Sequence, residues 1–229
     1  MEKTFTNYYE KGYQVIPDVF SAAEVAKITM LLVEQGVAQK FGIREFLIKY
    51  PVIGKQVLSP RLLGIVKAIL PNCHQLIKSI YFDKPPNANW IVNWHQDLTI
   101  NLKAKRESPE FKNWRVLEER VVVQPSRAIL EGILTVRIHL DDCTRVNGAL
   151  RVIEGSHQQG VIDVKEWIKD KPGKEVLCEV PSGGVFLMHP LLLHASRRTE
   201  NEQNRRVLHL EFCADVLPEG LAWKEAVVF

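Results

Sequence analysis

The feature that most constrains this chain is a change of grammar near residue 74, beyond which the sequence becomes a succession of short β-rich runs separated by turn residues. The runs are "HQLIKSIYFDKPP", "NWIVNWHQDLTI", "RVVVQP", "ILTVRIHLDD", "ALRVIEGSH", "EVLCEVPSGGVFLMHPLLLHAS" and "RRVLHLEFCADV". Each is rich in β-branched and aromatic residues, the composition of strands packed on a sheet. Many short strands in succession predict a β-sandwich or barrel. Between "LDDCTRV" and "ALRVI" sits Asn147-Gly148. This dipeptide best tolerates positive φ at both central positions of a tight turn, so the two flanking strands are predicted to pair as a hairpin.

Residues 1–72 read as mainly helical. In "FSAAEVAKITMLLVEQG", Ser21 followed by Glu24 is a capping-box signal, Val25, Ile28, Leu31 and Leu32 recur at helical spacing, and Gly36 marks a stop. "SPRLLGIVKAILP" repeats the logic, with Ser59 as cap, Pro60 at the first helical position and Pro71 at the end. At 229 residues and 46% hydrophobic content, the chain is expected to form one domain, with a β-rich part over 73–229. The segment 103–119 has no clear period and is read as a loop or lid over a site.

Composition excludes several classes of function. No apolar run is long enough to span a bilayer, and the opening "MEKTFTNYYEKGYQVIPDVF" lacks the basic start and apolar stretch of a secretory signal. A cytoplasmic protein with no membrane partner is expected. Net charge is only +3, and the most basic stretch, "NLKAKRESPEFKNWR", is broken by Glu107 and Glu110 without regularly interleaved aromatics. No nucleic-acid partner is expected. Cys73, Cys143, Cys178 and Cys213 lie far apart with no CxxC pair, so reduced, buried thiols are predicted.

The chemistry-bearing residues begin in "NWHQDLTI". In an extended chain residues two apart share a face, so His95 and Asp97 converge. Alone, the pair also fits a core histidine oriented by a carboxylate. The C-terminal runs add His194, Ser196 two residues on, and Arg205 eleven residues after the histidine. Two histidines and one carboxylate on one face are the ligand set of non-haem ferrous oxygenases, which leaves three coordination positions open. A bidentate 2-oxo acid fills two of these and dioxygen the third. An arginine beside a hydroxyl can then fork onto the remote carboxylate of 2-oxoglutarate.

With these residues in place the chain resembles the phytanoyl-CoA dioxygenase family of iron(II)- and 2-oxoglutarate-dependent oxygenases. The resemblance runs through "KPP" at 84–86, "WHQD" at 94–97, "IHLDDCTRVNGALRVIEGSH" at 138–157, and "HAS" followed by "RRVLHLEF". It implies a mainly β fold with flanking helices and a double-stranded β-helix (jelly-roll, cupin-like) core. It implies Fe(II) bound by His95, Asp97 and His194, and 2-oxoglutarate held by Ser196 and Arg205. The activity implied is hydroxylation of an unactivated C–H bond of a small metabolite, with release of succinate and CO2. Halogenating relatives carry a small residue at the position of Asp97, so the carboxylate implies a hydroxylase or related oxidase. His189 lacks the following x-Ser, and Arg206 faces away from Arg205 on an extended chain. His139, His157 and His209 read as strand or turn histidines, and Trp90 and Trp94 as core or pocket wall. Two other readings stay open: a catalytically silent cupin-like metal- or ligand-binding protein, and a zinc hydrolase on the same ligands.

Arg137 departs from the family pattern. Alternation in "GILTVRIHLDD" puts Thr135, Arg137, His139 and Asp141 on one face and Val136, Ile138 and Leu140 on the other. Where relatives line the co-substrate pocket, some with an aromatic residue, this chain places a cation. It either pairs on the rim with Glu131 or Asp141, or contacts a carboxylate of 2-oxoglutarate or of an acidic substrate.

Overall fold

The alternating runs become strands in the computed structural model, which describes residues 5–37, 40–84, 91–106, 108–117, 120–170, 173–200 and 203–229; Pro85, Pro86, Trp90, Glu107 and Glu119 lie outside these. In chain order the strands are β1 (Tyr13–Ile16), β2 (Gly42–Arg44), β3 (Gln75–Asp83), β4 (Val92–His95), β5 (Ile100–Leu102), β6 (Lys112–Leu117) and β7 (Arg120–Gln124). They continue with β8 (Ile133–His139), β9 (Leu150–Ile153), β10 (Glu175–Cys178), β11 (Val185–Met188), β12 (His194–Ser196), β13 (Arg206–Cys213) and β14 (Val227–Val228). A major sheet runs β1-β11-β8-β13-β3-β14 with β2 also on β3, a facing sheet runs β10-β9-β12-β4, and β5-β7-β6 form a third. From β8 onward the chain passes repeatedly between the first two sheets, with β8, β11 and β13 in one and β9, β10 and β12 in the other. That winding is a double-stranded β-helix, as the resemblance implied.

The major sheet has an aliphatic outer face. Leu134, Val136 and Ile138 of β8 and Leu208, Leu210 and Phe212 of β13 are buried in one cluster with Ile28, Leu32, Leu62 and Val66 of two N-terminal helices. Each such side chain contributes about 1.5 to 3 kcal/mol of transfer free energy. The helices are Ala22–Glu34 and Pro60–Ile69. The first opens on a complete capping box, in which Ser21 Oγ accepts from Glu24 N–H and Glu24 accepts from Ser21 N–H. The second is capped by Ser59 with Pro60 in its first turn. All four cysteines are free and buried. Among the described residues, no helix is long and apolar enough to cross a membrane.

One local expectation is corrected. Asn147-Gly148 does not close a hairpin, because β8 and β9 lie in different sheets. Arg145–Asn147 is a short 3-10 turn, and only Gly148 takes positive φ, at 81°. The Asn147 side chain caps the turn instead, accepting from Thr144 N–H at 2.6 Å and donating to Asp142 O at 2.5 Å. The dipeptide signals one left-handed residue, which a crossover uses as readily as a hairpin. The described part of residues 1–72 is mainly helical and adds two short strands, with β1 paired to β11 and β2 to β3. These strands cover sheet positions that would otherwise leave backbone groups unpaired.

Candidate active site

The register of the facing sheet makes the site. β12 pairs with β4 so that His194 lies opposite His95, and the ring centroids are 4.1 Å apart. The chain leaves β4 after His95, and Asp97 N–H donates to Pro190 O at 2.9 Å. Gln96 is buried and tied down: Nε2 donates to Gly160 O and Leu191 O, and Oε1 accepts from Ile162 N–H. Anchoring Gln96 away from the two neighbours it separates leaves Asp97 facing His95 even though the strand has ended. Asp97 Oδ1 stands 3.8 Å from His95 Nε2, and Oδ2 stands 3.9 Å from His194 Nε2. One ligand atom from each residue lies within 4.8 Å of the others.

The second nitrogen of each ring is spent on the backbone. His95 Nδ1 is 2.8 Å from Asn93 O, and His194 Nδ1 is 2.9 Å from Leu192 O. A carbonyl only accepts, so Nδ1 carries the proton and the Nε2 lone pairs converge with Asp97. Burial pushes His194 down to about 4, against the pull of Asp97, so its imidazole is neutral at pH 7. Burial raises the Asp97 carboxyl, but His194, His209, His95 and Lys78 outweigh it and hold Asp97 below the usual carboxylate range. Neutral imidazole and ionised carboxylate are the forms that bind a metal ion.

A cavity of about 240 Å³ opens between the two sheets at this cluster. The facing sheet contributes Ser196 beside the triad, and the major sheet contributes Lys78, Arg137, His209 and Glu211, with Arg44 of β2 and Arg205 just before β13. Across the major sheet Arg44, Ile80, His209 and Arg137 stand in one register row, with Lys78 opposite Glu211 in the next. Arg205 is buried, and its Nη1 donates to Gly148 O. Gly148 is irreplaceable here: besides its positive φ, a Cβ would come within 2.8 Å of Arg197 O. Arg206 faces the other way and pairs with Asp141 through Nε at 2.9 Å and Nη2 at 2.5 Å.

Arg137 does not sit on the rim. Asp141 is taken by Arg206, Glu131 binds Arg127 at 2.7 Å, and Arg137 is only 8% exposed. Its Nη1 is 3.1 Å from His209 Nδ1. Burial, then the neighbouring Arg205, pushes the guanidinium down to about 10, still charged at neutral pH. Among the described residues Asp97 Oδ2, Ser196 Oγ, Arg205 Nε and Arg137 Nε are buried without a hydrogen-bond partner, and all four residues line this cavity.

Sequence reasoning passed over Gln96, Lys78 and Glu211, and read His209 as a strand or turn histidine with no part in the site. His209 Nε2 is 3.2 Å from Glu211 Oε1, and Lys78 Nζ stands 2.7 Å from Glu211 while donating to Thr99 O at 2.9 Å. The signal was the two-residue step from Arg205 through Val207 to His209 and Glu211, the same alternation that places Arg137. Asp97, His209 and Glu211 form a second cluster of metal-ligand atoms within 4.8 Å. Both nitrogens of His209 are already engaged, by Arg137 and Glu211, so the first triad is the better metal site. His189 packs 5.0 Å from His157, and neither lines the cavity; nor does His139. No described residue of 103–119 lines it either. Lys112–Leu117 is β6, paired with β7, and Phe111 and Trp114 pack in the cluster around Ile100 and Val123.

Comparison with known proteins gives the family and the fold. The family model described as phytanoyl-CoA dioxygenase (PhyH) matches residues 8–207. No curated protein matches the chain. Among solved structures, the non-heme alpha ketoglutarate dependent carbocyclase SnoK from nogalamycin biosynthesis is 17% identical, covering 93% of this chain and 83% of that one at a TM-score of 0.71. EctD from S. alaskensis is 21% identical over 91% of this chain and 75% of that one, with a TM-score of 0.69. HygX from Streptomyces hygroscopicus with iron bound is 17% identical over 93% and 86%, with a TM-score of 0.67. HygX has also been solved with nickel and 2-oxoglutarate bound. At these identities the likeness establishes the fold.

Proposed function

This chain belongs to the phytanoyl-CoA dioxygenase family of Fe(II)- and 2-oxoglutarate-dependent enzymes, and from that premise we propose that it hydroxylates an unactivated C–H bond of a small metabolite, releasing succinate and CO2. Dioxygen is the other substrate. His95, Asp97 and His194 hold the iron, and Ser196 and Arg205 hold the remote carboxylate of 2-oxoglutarate. The observation that carries the reading is the set of buried, unpartnered atoms on one cavity: Asp97 Oδ2 at the triad, and Ser196 Oγ and Arg205 Nε as donors beyond it. An acceptor group suited to a cation and donors suited to a carboxylate are both left unsatisfied, so the residues fit the two groups they would bind.

When bound, the iron supplies the activation of dioxygen coupled to decarboxylation of the co-substrate. The chain's own residues bind and orient. Hydrogen bonds to Asn93 O and Leu192 O fix both imidazoles with Nε2 toward the metal position. Gly148 O fixes Arg205, whose planar fork matches a carboxylate bidentately. The side chain of Asp97 fills the place where, by the family resemblance, halogenating relatives have a small residue. That supports hydroxylation over halogenation.

Anaerobic addition of Fe(II) and 2-oxoglutarate to the purified protein is expected to give a weak visible absorption band. His95→Ala, Asp97→Ala and His194→Ala are each expected to lose it while keeping the far-ultraviolet circular dichroism of the folded protein. Retention of the band by all three variants overturns the ligand assignment.

A further inference from the structure

Resting on that reading, we propose that the substrate is a small organic acid and that Arg137 holds its carboxylate beside the metal ligands. Among the described residues four strong cations line the cavity: Arg44, Lys78, Arg137 and Arg205. Lys78 is neutralised by Glu211 at 2.7 Å, Arg44 is exposed to solvent, and Arg205 serves the co-substrate clamp. Arg137 is buried, charged and paired with no carboxylate among the described residues.

The hydrogen bonds show how that charge is kept free. A guanidinium has donors only, so His209 Nδ1 must accept from Arg137 Nη1. The imidazole proton therefore sits on Nε2 and is donated to Glu211 Oε1. Glu211 is spent on Lys78 and His209, and Arg137 is given a neutral acceptor. His209 fixes where the guanidinium lies without cancelling its charge. A buried cation of this kind is costly unless an anion joins it, and Arg137 Nε is one of the unpartnered buried atoms on the cavity.

Arg137 and Arg205 are close enough to repel one another, but different partners hold them: His209 Nδ1 for Arg137 and Gly148 O for Arg205. Arg205 enters the cavity from just before β13, four residues ahead of His209, so the backbone of the clamp lies roughly 13 Å along the chain from the residue that holds Arg137. His209 belongs to the cluster within 4.8 Å of Asp97, so Arg137, bound to it, stands level with the metal ligands. The keto-acid end of the co-substrate has the metal as its counter-charge. The anion left for Arg137 is the substrate's. At about 240 Å³ the cavity is small for a ligand site, and it must hold the co-substrate as well. A short acid, oxidised within a few bonds of its carboxylate, fits that space.

The test titrates short aliphatic carboxylic acids and their α-amino counterparts, each beside its primary amide, into the anaerobic Fe(II) and 2-oxoglutarate complex while following the visible band. Acids are expected to shift the band where their amides do not. Arg137→Gln is expected to weaken that response on the order of a hundredfold and Arg137→Lys by less, with calorimetric affinity for 2-oxoglutarate within about twofold of wild type in both. Equal responses to acid and amide overturn the substrate class. Loss of 2-oxoglutarate affinity in Arg137→Lys and Arg137→Gln assigns the residue to the co-substrate and overturns the proposal. Failure of the wild type to form the band before any acid is added removes the metal reading itself, and is seen separately.

Discussion

Strands β8 and β13 have two faces that do opposite work. Outward, Leu134, Val136, Ile138, Leu208, Leu210 and Phe212 pack beneath the N-terminal helices in one apolar cluster. Inward, Thr135, Arg137, His139, His209 and Glu211 are just as buried but polar. Only a one-residue step along the same backbone separates the sets. The difference teaches where stability and chemistry reside: the outer face gains transfer free energy, and the inner face keeps groups that cost free energy until a ligand pairs with them. One polar spot interrupts the outer layer, where Ser79 Oγ donates to Glu225 at 2.7 Å and accepts from Leu47 N–H at 2.9 Å.

The sharpest way to break this contrast is to truncate each face in turn. Phe212→Ala on the outer face is expected to cost about 3 to 5 kcal/mol in chemical unfolding, leaving the 2-oxoglutarate affinity of the folded protein unchanged. A comparable loss of affinity in that variant would mean that the two faces are not independent. Arg205→Gln should do the reverse, weakening 2-oxoglutarate binding by about 2 to 5 kcal/mol in calorimetry, with Ser196→Ala costing about 1. If Arg206→Gln weakens binding and Arg205→Gln does not, the clamp has been placed on the wrong residue.

The smallest expected effect tests the polar spot. Burial raises the Glu225 carboxyl from 4.5 to about 7, against its hydrogen bonds to Ser79. Its contribution to stability is therefore fully present below about pH 4.5 and lost as pH rises through about 7. Relative to wild type, Glu225→Gln should gain up to about 3 kcal/mol across that window, measured as the difference between two unfolding curves at each pH. A difference that does not vary with pH would show that Glu225 is ionised in the fold.

Much of this was legible in the chain. The strand runs from residue 74, both capped helices and the convergence of His95 with Asp97 follow from local rules of period and capping, which depend on neighbours a few residues apart. The alternation that turns Arg137 inward was readable for the same reason, and the same step would have exposed His209 and Glu211. Asn147-Gly148 misled because a left-handed glycine specifies a turn, not which sheet the next strand joins. The segment 103–119 has no clear period because Asn113 takes positive φ and the register of β6 shifts, which hides the strand at 112–117 from a local pattern.

By itself the sequence determined which residue types were present, at which spacing and on which face of each strand, because side-chain direction is a property of the local backbone. Only the tertiary structure decided which strands became neighbours. His194 meets His95 through an antiparallel register across some hundred residues, Arg137 rather than Asp141 enters the cavity because Arg206 captures Asp141, and His209 is drawn between Arg137 and Glu211. Those outcomes rest on contacts between distant segments, where burial and charge pairing choose among partners that no local pattern distinguishes.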